Sequence, residues 1–202
     1  MDRRDVLKYT AYLTGYAVTA PLTSAILSGC KSEPATAEVT TKFFSAEEFP
    51  SIEAMINTML PKTDTPGAVE LGVPSFVDIV LADYTEEEDQ QKLQKGLSAW
   101  LSEVSNAKGS SYAELSAEDQ LRLLNELDAS SKKAAEELDD LDLDKEEKED
   151  RAPWWFDLKS MVIGGYYSSE YIGTEVLVYD PVPGAYQGCI SLSDMGGKNW
   201  SL

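Results

Sequence analysis

The sequence contains no histidine, and this absence limits the chemistry that the chain can perform. Without imidazole there is no Ser-His-Asp or Cys-His catalysis, none of the usual zinc ligand sets and no His-ligated haem. The C-x-x-C-H motif of covalent haem attachment and the G-x-G-x-x-G motif of dinucleotide binding are also missing. We therefore predict no catalytic residue, no cofactor-binding residue and no metal ligand in this chain.

Cysteine is scarce, since the chain has only Cys30 and Cys189. Cys30 closes an N-terminal segment that gives it a separate role, described below. Cys189 is then left without a partner, so no intramolecular disulfide is predicted in the mature protein. A cysteine without such a role commonly serves as a small buried apolar residue, and this is our prediction for Cys189.

Basic side chains are also few, with 17 Lys and Arg against 36 Asp and Glu and a net charge of −19. Residues 1–29 carry three basic and two acidic residues, which leaves −20 for residues 30–202. This balance argues against nucleic-acid binding, because phosphate contacts need a basic surface. An anionic membrane surface would repel the chain as well, so membrane attachment would have to come from a covalent lipid.

The N-terminal segment has the features of an export signal. Arg3 and Arg4 precede Asp5-Val6-Leu7-Lys8, which is close to the twin-arginine pattern, and no charged residue occurs from Tyr9 to Cys30. The segment ends in Leu27-Ser28-Gly29-Cys30, which resembles a bacterial lipobox. We predict a signal peptide over residues 1–29, a lipid on Cys30 and a periplasmic, membrane-anchored location.

An uncleaved membrane anchor is the alternative for this segment, because about 20 apolar residues suffice to cross a bilayer. Its many Thr, Ser and Gly residues favour a signal peptide instead. Residues 30–42 are polar and without periodicity, and we expect them to be a flexible tether.

Residues 43–202 are predicted to form a single all-α domain, a small bundle of about five helices with an irregular C-terminal segment. Capping boxes are expected at Ser45–Glu48 and Thr85–Glu88, with a further start signal at Ser116. A second helix beginning at Pro74 is expected to bury Phe76, Ile79 and Val80. The last helix is predicted over 154–167.

The acidic run at 136–150 is predicted to be a solvated loop and an insertion in the domain. Asp140, Asp142 and Asp144 are spaced as in a calcium loop. Lys145 and Arg151, however, replace the Gly and Glu that an EF-hand requires, so a calcium site is disfavoured.

The C-terminal segment from Ser168 is rich in Gly, Pro, Tyr and Trp, and a short strand is predicted at 174–179. This segment either wraps its own domain or is completed by another subunit, because Tyr and Trp are favoured at interfaces.

Three blocks of the chain, at 59–78, 166–174 and 179–189, resemble the gluconate 2-dehydrogenase subunit 3 family. The most specific is the run M-L-P-K-T-D-T-P-G-A at 59–68. The likeness extends with gaps over about 43–202, and the acidic run looks like an insertion within it. As candidate partner-interface residues we take Asp64, Pro66, Gly67, Trp154, Trp155, Tyr179, Tyr186 and Trp200.

The resemblance implies a non-catalytic small subunit. In this family the large partner is an FAD enzyme of the glucose-methanol-choline (GMC) type that oxidises a sugar, sugar acid or polyol. A c-type cytochrome often takes the electrons, and the small subunit serves assembly and export. FAD is accordingly expected on the partner, and the lipobox suggests that this chain also anchors the complex.

Two other classes of function remain open. In the first, the chain is a free-standing lipoprotein that binds a small ligand or another protein. In the second, it is an enzyme that uses carboxylates such as Asp64, Asp78 or Asp157. Paired carboxylates suffice for glycoside hydrolysis, so the lack of histidine does not forbid catalysis. In so acidic a chain, however, a single carboxylate is most simply a surface charge or a helix cap.

Overall fold

The computed structural model describes residues 41–179, 184 and 189–200. The predicted signal peptide with Arg3, Arg4 and Cys30, and the tether up to Thr40, lie outside the described residues. The described part is all-α, as predicted. Its helices are α1 (Phe49–Met59), α2 (Val73–Tyr84), α3 (Glu87–Lys108), α4 (Ala117–Asp139), α5 (Lys145–Arg151) and α6 (Trp154–Tyr167), with a 3₁₀ turn at Tyr112–Glu114 and a π-helical turn at Ile172–Val176.

Several helix ends follow from local sequence signals. The Ser45–Glu48 box forms: the Glu48 amide donates to Ser45 Oγ at 3.2 Å, and the Ser45 amide donates to Glu48 Oε2 at 3.3 Å. Ser116 caps α4 by accepting from the Asp119 amide. Helix α3 ends at Gly109, whose φ of 75° is one that glycine adopts without strain. The last helix has the predicted bounds.

Helix α6 lies at the centre of the packing, in contact with α2, α3 and α4. Helix α1 packs against α2, α4 and the 3₁₀ turn. The largest fully buried side chains come from every helix except α4 and α5, together with the two short turns: Trp155, Tyr112, Ile52, Met55, Ile56, Leu81, Leu93, Leu97, Leu158, Ile172, Val73 and Val77. Burial of these side chains supplies most of the stabilisation of the bundle, since each contributes about 1.5–3 kcal/mol.

The predicted inner face of α2 is wrong. Phe76 and Ile79 are 45% and 42% exposed, whereas Val77, Asp78 and Leu81 are buried. Apolar residues occur all around this helix, so periodicity does not fix which side faces inward. Asp78 is also on the inner side, where its buried carboxylate accepts three backbone N–H groups.

Three further local predictions are corrected by the structure. The acidic run is not a loop, because it holds the end of α4, a turn and helix α5, which begins with a capping box between Asp144 and Glu147. The strand expected at 174–179 is replaced by the π-helical turn and a single bridge at Val178. Thr85 does not cap α3; its hydroxyl donates back to the Val80 carbonyl at 3.0 Å.

Within residues 41–179, 184 and 189–200, none of the helices combines the length and the apolar character that crossing a bilayer requires.

Candidate functional site

The loop between α1 and α2 contains the most specific block of the family likeness, and its backbone is closed on itself. The Ala68 amide donates to the Leu60 carbonyl at 3.0 Å, and the Thr63 amide donates to the Thr65 carbonyl at 3.0 Å. Asp64 is the residue enclosed by the Thr63–Thr65 hydrogen bond, and its side chain is exposed. We call residues 60–68 the closed loop.

Gly67 is buried where the closed loop folds over its own start. A Cβ at this position would come within 2.8 Å of the Lys62 backbone nitrogen, so a side chain cannot be accommodated without displacing backbone. The Gly67 amide donates to Glu70 Oε2 at 3.1 Å, and Lys62 Nζ contacts Glu70 Oε1 at 2.6 Å. The Lys62 ammonium and then the Gly67 amide hold the pKa of Glu70 below its ordinary value.

Tyr166, near the end of α6, fastens the closed loop to the bundle. Its hydroxyl donates to the Pro66 carbonyl at 3.2 Å and lies 3.1 Å from Thr65 Oγ1. These contacts join segments 100 residues apart in the sequence. Two blocks of the family likeness, predicted separately from the sequence, therefore meet at one end of α6.

Trp154 and Trp155 lie at the opposite end of α6, about 20 Å away at the rise of an α-helix. Trp154 is half-buried, and its ring occupies the space beside Gly96 of α3. Trp155 is only 1% exposed, and its indole N–H donates to Asp128 Oδ1 at 2.7 Å. Trp155 is thus a core residue of this chain.

Asp128 is positioned by the same contacts. Lys159 and then the Trp155 indole donate hydrogen bonds to its carboxylate, and they hold the pKa of Asp128 below its ordinary value. This group of side chains links α4 to α6 and has a structural role.

The C-terminal candidates Tyr179 and Trp200 form a third group, which is exposed. Val178 pairs with Trp200 in a parallel bridge, and the Val178 amide donates to the Asn199 carbonyl at 2.8 Å. Tyr179 and Trp200 expose about half of their surface. Tyr186 lies outside the described residues. The prediction that Cys189 is buried is wrong, because its side chain is exposed.

The three carboxylates considered for catalysis do not meet in one pocket. Asp78 accepts the amides of Lys42, Phe43 and Phe44 at 2.7–3.0 Å, so it fixes the start of the domain to α2. Asp64 is on the exposed closed loop.

Of the three, Asp157 alone borders a cleft of about 950 Å³, which is lined by many acidic side chains of α3 and α5. Burial raises the pKa of Asp157, and Lys92, 3.8 Å away, opposes this effect. Across the described ranges, no three His, Cys, Asp or Glu side chains lie together as metal ligands would.

Sequence reasoning missed a set of large apolar side chains that remain exposed. They lie on α2, on α6 and just after α6: Phe76, Ile79, Ile163, Tyr167 and Tyr171. A signal for them was present, since the sequence from Ser160 to Ser169 has no charged residue in a chain of which 26% is charged. Periodicity alone cannot distinguish a second apolar side of a helix from the side that faces the core.

A family model described as gluconate 2-dehydrogenase subunit 3 matches residues 46–184. The match covers all six helices and the closed loop. No curated protein and no solved structure matches the chain.

Proposed function

The chain belongs to the gluconate 2-dehydrogenase subunit 3 family, and on this basis we propose that it is the non-catalytic accessory subunit of a dehydrogenase complex. The family match over residues 46–184 carries this proposal. Its partner is an FAD-dependent dehydrogenase of the GMC type that oxidises a sugar, sugar acid or polyol. A c-type cytochrome subunit accepts the electrons in such a complex. FAD is bound by the partner and not by this chain.

The arrangement of the described residues supports an accessory role. Gly67 and Tyr166 hold the closed loop in a fixed shape, and Asp78 fixes the chain at the start of the domain. The hydrogen bonds of Tyr166 and Asp78 thus stabilise the fold. The sequence has no histidine and no dinucleotide-binding motif, which is consistent with chemistry on another polypeptide.

Export and anchoring complete the proposal. The twin-arginine signal with Arg3 and Arg4 exports the folded chain together with its flavoprotein, and the lipid on Cys30 holds the complex on the periplasmic side of a membrane. A single signal peptide then directs the export of two proteins.

Affinity purification of the full chain from the solubilised membrane fraction tests the complex. We expect a flavin-containing dehydrogenase to co-purify, with flavin absorbance and sugar or polyol oxidation in the eluate. Recovery of this chain alone, without flavin, would contradict the proposal and favour a free-standing lipoprotein.

Two signal variants test export and anchoring separately. Replacing Arg3 and Arg4 by Lys should retain both this chain and the dehydrogenase in the cytoplasm. Cys30→Ala should release the domain from the membrane or block signal cleavage, whereas Cys189→Ala, the matched control, should leave both unchanged. Normal processing and localisation of Cys30→Ala would refute the lipid anchor.

A further inference from the structure

Helix α5 forms part of the wall of the cleft that Asp157 borders. Its sequence, K-E-E-K-E-D-R, has no apolar side chain that could pack against the core. At seven residues it is also too short to be stable by itself, because isolated helices below about 12–15 residues are marginal in water. The position of α5 therefore depends on polar contacts with its neighbours. We call residues 141–152, between α4 and α6, the strap.

The cleft is strongly acidic. Its carboxylates come from the start of α3, from α5 and its N-cap, and from α6: Glu86, Glu88, Asp89, Asp144, Glu147, Glu149, Asp150 and Asp157. Among the described residues that line the cleft, Lys92 is the only basic one. Because like charges repel each other, the carboxylates of α3 and α5 favour separation of the strap from α3.

Lys92 of α3 opposes this separation. Its ammonium donates to the Glu149 carbonyl in the last turn of α5 at 2.9 Å, and it lies 3.8 Å from Asp157 Oδ2 on α6. A lysine ammonium complements the carbonyl groups at the end of a helix. The Lys92 side chain is only 22% exposed, so salt screens its contacts less than those of a fully solvated lysine.

The other lysines of the strap do not reach across the cleft. Lys148 Nζ donates to the carbonyl of Asp139, the last residue of α4, at 2.9 Å. Lys145 pairs with Glu149 inside α5. Among the contacts that the structure describes, the Lys92 hydrogen bond is thus the one that joins the strap to α3.

Asp89 and Lys92 of α3 act on the cleft in opposite directions. Burial raises the pKa of Asp157, the Lys92 ammonium lowers it, and the Asp89 carboxylate raises it. The charges of α3 and α6 are therefore close enough to affect each other, and Asp89 is a carboxylate whose repulsion can be removed alone.

We propose that the strap moves between a docked position, held by Lys92, and an open position that the carboxylates of the cleft favour. Ionic strength sets the balance, since salt screens the many repulsions between exposed carboxylates more than the partly buried Lys92 contact. High salt then favours the docked strap and low salt the open one. The open strap gives solvent access to a cleft whose lining includes the core residues Leu81 and Leu93. This inference does not depend on the proposed function.

Amide hydrogen exchange of the full-length chain, measured by mass spectrometry, tests the proposal. Wild-type amides at 148–152 should exchange about fivefold more slowly in about 1 M than in about 0.01 M KCl, where the Debye lengths are about 3 Å and about 30 Å. Helix α1 contributes no residue to the described lining of the cleft and is the internal reference. Strap exchange that is equal or faster in high salt would overturn the proposal.

Lys92→Gln tests the contact that holds the strap. It should accelerate exchange of the strap about fivefold or more in low salt, because it removes a hydrogen bond from a charged donor. Lys95→Gln removes the same charge from an exposed position of α3 outside the described lining of the cleft, and it should behave as the wild type does. Wild-type exchange of the strap in Lys92→Gln would refute the role of Lys92.

Asp89→Asn gives a readout that does not depend on whether Lys92→Gln folds. It keeps Lys92 and removes one repelling charge, so strap exchange should slow about twofold in low salt and match the wild type in high salt. Adding Asp89→Asn to Lys92→Gln should return strap exchange toward the wild-type rate, an effect that loss of a purely structural hydrogen bond would not give. Unchanged strap exchange in Asp89→Asn at low salt would show that repulsion does not open the strap.

Discussion

The hydroxyl of Tyr166 donates a hydrogen bond to the carbonyl of Pro66 at 3.2 Å, and so joins the end of α6 to the closed loop. We predict that Tyr166→Phe lowers the free energy of unfolding by about 1 kcal/mol, the net value of one such bond. Urea titration measures this loss, and amide exchange should increase in residues 61–67. Tyr167→Phe changes an exposed ring on the same helix and should have little effect on either.

Gly96 and Trp154 form a second close pair, because the Trp154 ring fills the space that a Cβ on Gly96 would occupy. Gly96→Ala should therefore destabilise the chain by about 1–3 kcal/mol, the usual cost of overpacking. The matched control is Gly164→Ala, the same substitution inside a helix with open space around it. Equal melting temperatures for the two variants would show that Trp154 does not occupy the position described.

Asp78 is a buried carboxylate with a structural role. Asp78→Ala leaves the amides of Lys42, Phe43 and Phe44 without their acceptor, so we expect a loss of about 3 kcal/mol or more in unfolding free energy. Asp78→Asn keeps one acceptor oxygen and should lose less. Limited proteolysis should detect the freed segment near Lys42. If Asp78 were catalytic, its substitution would instead abolish an enzymatic activity without lowering the free energy of unfolding.

The stability of the fold depends on the ionisation of Glu48. Burial raises its pKa, but hydrogen bonds from Ser45, Ser98 and Gln94 outweigh burial and hold the pKa below its usual 4.5. Because the pKa of Glu48 is lower in the folded state than in the unfolded state, its charge stabilises the fold at every pH above the unfolded-state pKa. This stabilisation is lost as the pH falls through the folded-state pKa.

Denaturant titrations between neutral and acidic pH measure this effect. Glu48→Gln should be less stable than the wild type at neutral pH, and the difference should diminish as pH falls below 4.5. Glu47→Gln, a change at an exposed neighbour, should follow the wild-type profile. A difference that stays constant with pH would show that the Glu48 charge does not contribute.

Asp119 should titrate far below a free aspartate. Hydrogen bonds from Lys108 and Arg122 lower its pKa to about 2. Carbon-detected NMR of the side-chain carboxyl should show this value, and Lys108→Ala should move it toward its usual 3.8. Because the group is exposed, high salt should reduce the shift as well.

Much of the helical framework could be predicted from the sequence. Ser45 and Ser116 act on their neighbours in the chain, and capping bonds depend only on residues within one turn. The same holds for α6, whose bounds follow from Pro153 and from apolar spacing. The acidic run was misjudged because charge indicates exposure to solvent, and α5 is both exposed and helical.

The sequence by itself determined the strong negative charge, the absence of histidine chemistry and the all-α class, since composition and local spacing are properties of the chain alone. Only the tertiary structure decided that Val77 and Asp78, and not Phe76, face the core, because a helix that is apolar all around takes its inner side from its neighbours. The tertiary structure likewise joined Tyr166 to Pro66. It also placed Gly165 against the Phe76 ring and left open space beside Gly164. Contacts between segments 100 residues apart depend on packing, which no local pattern encodes.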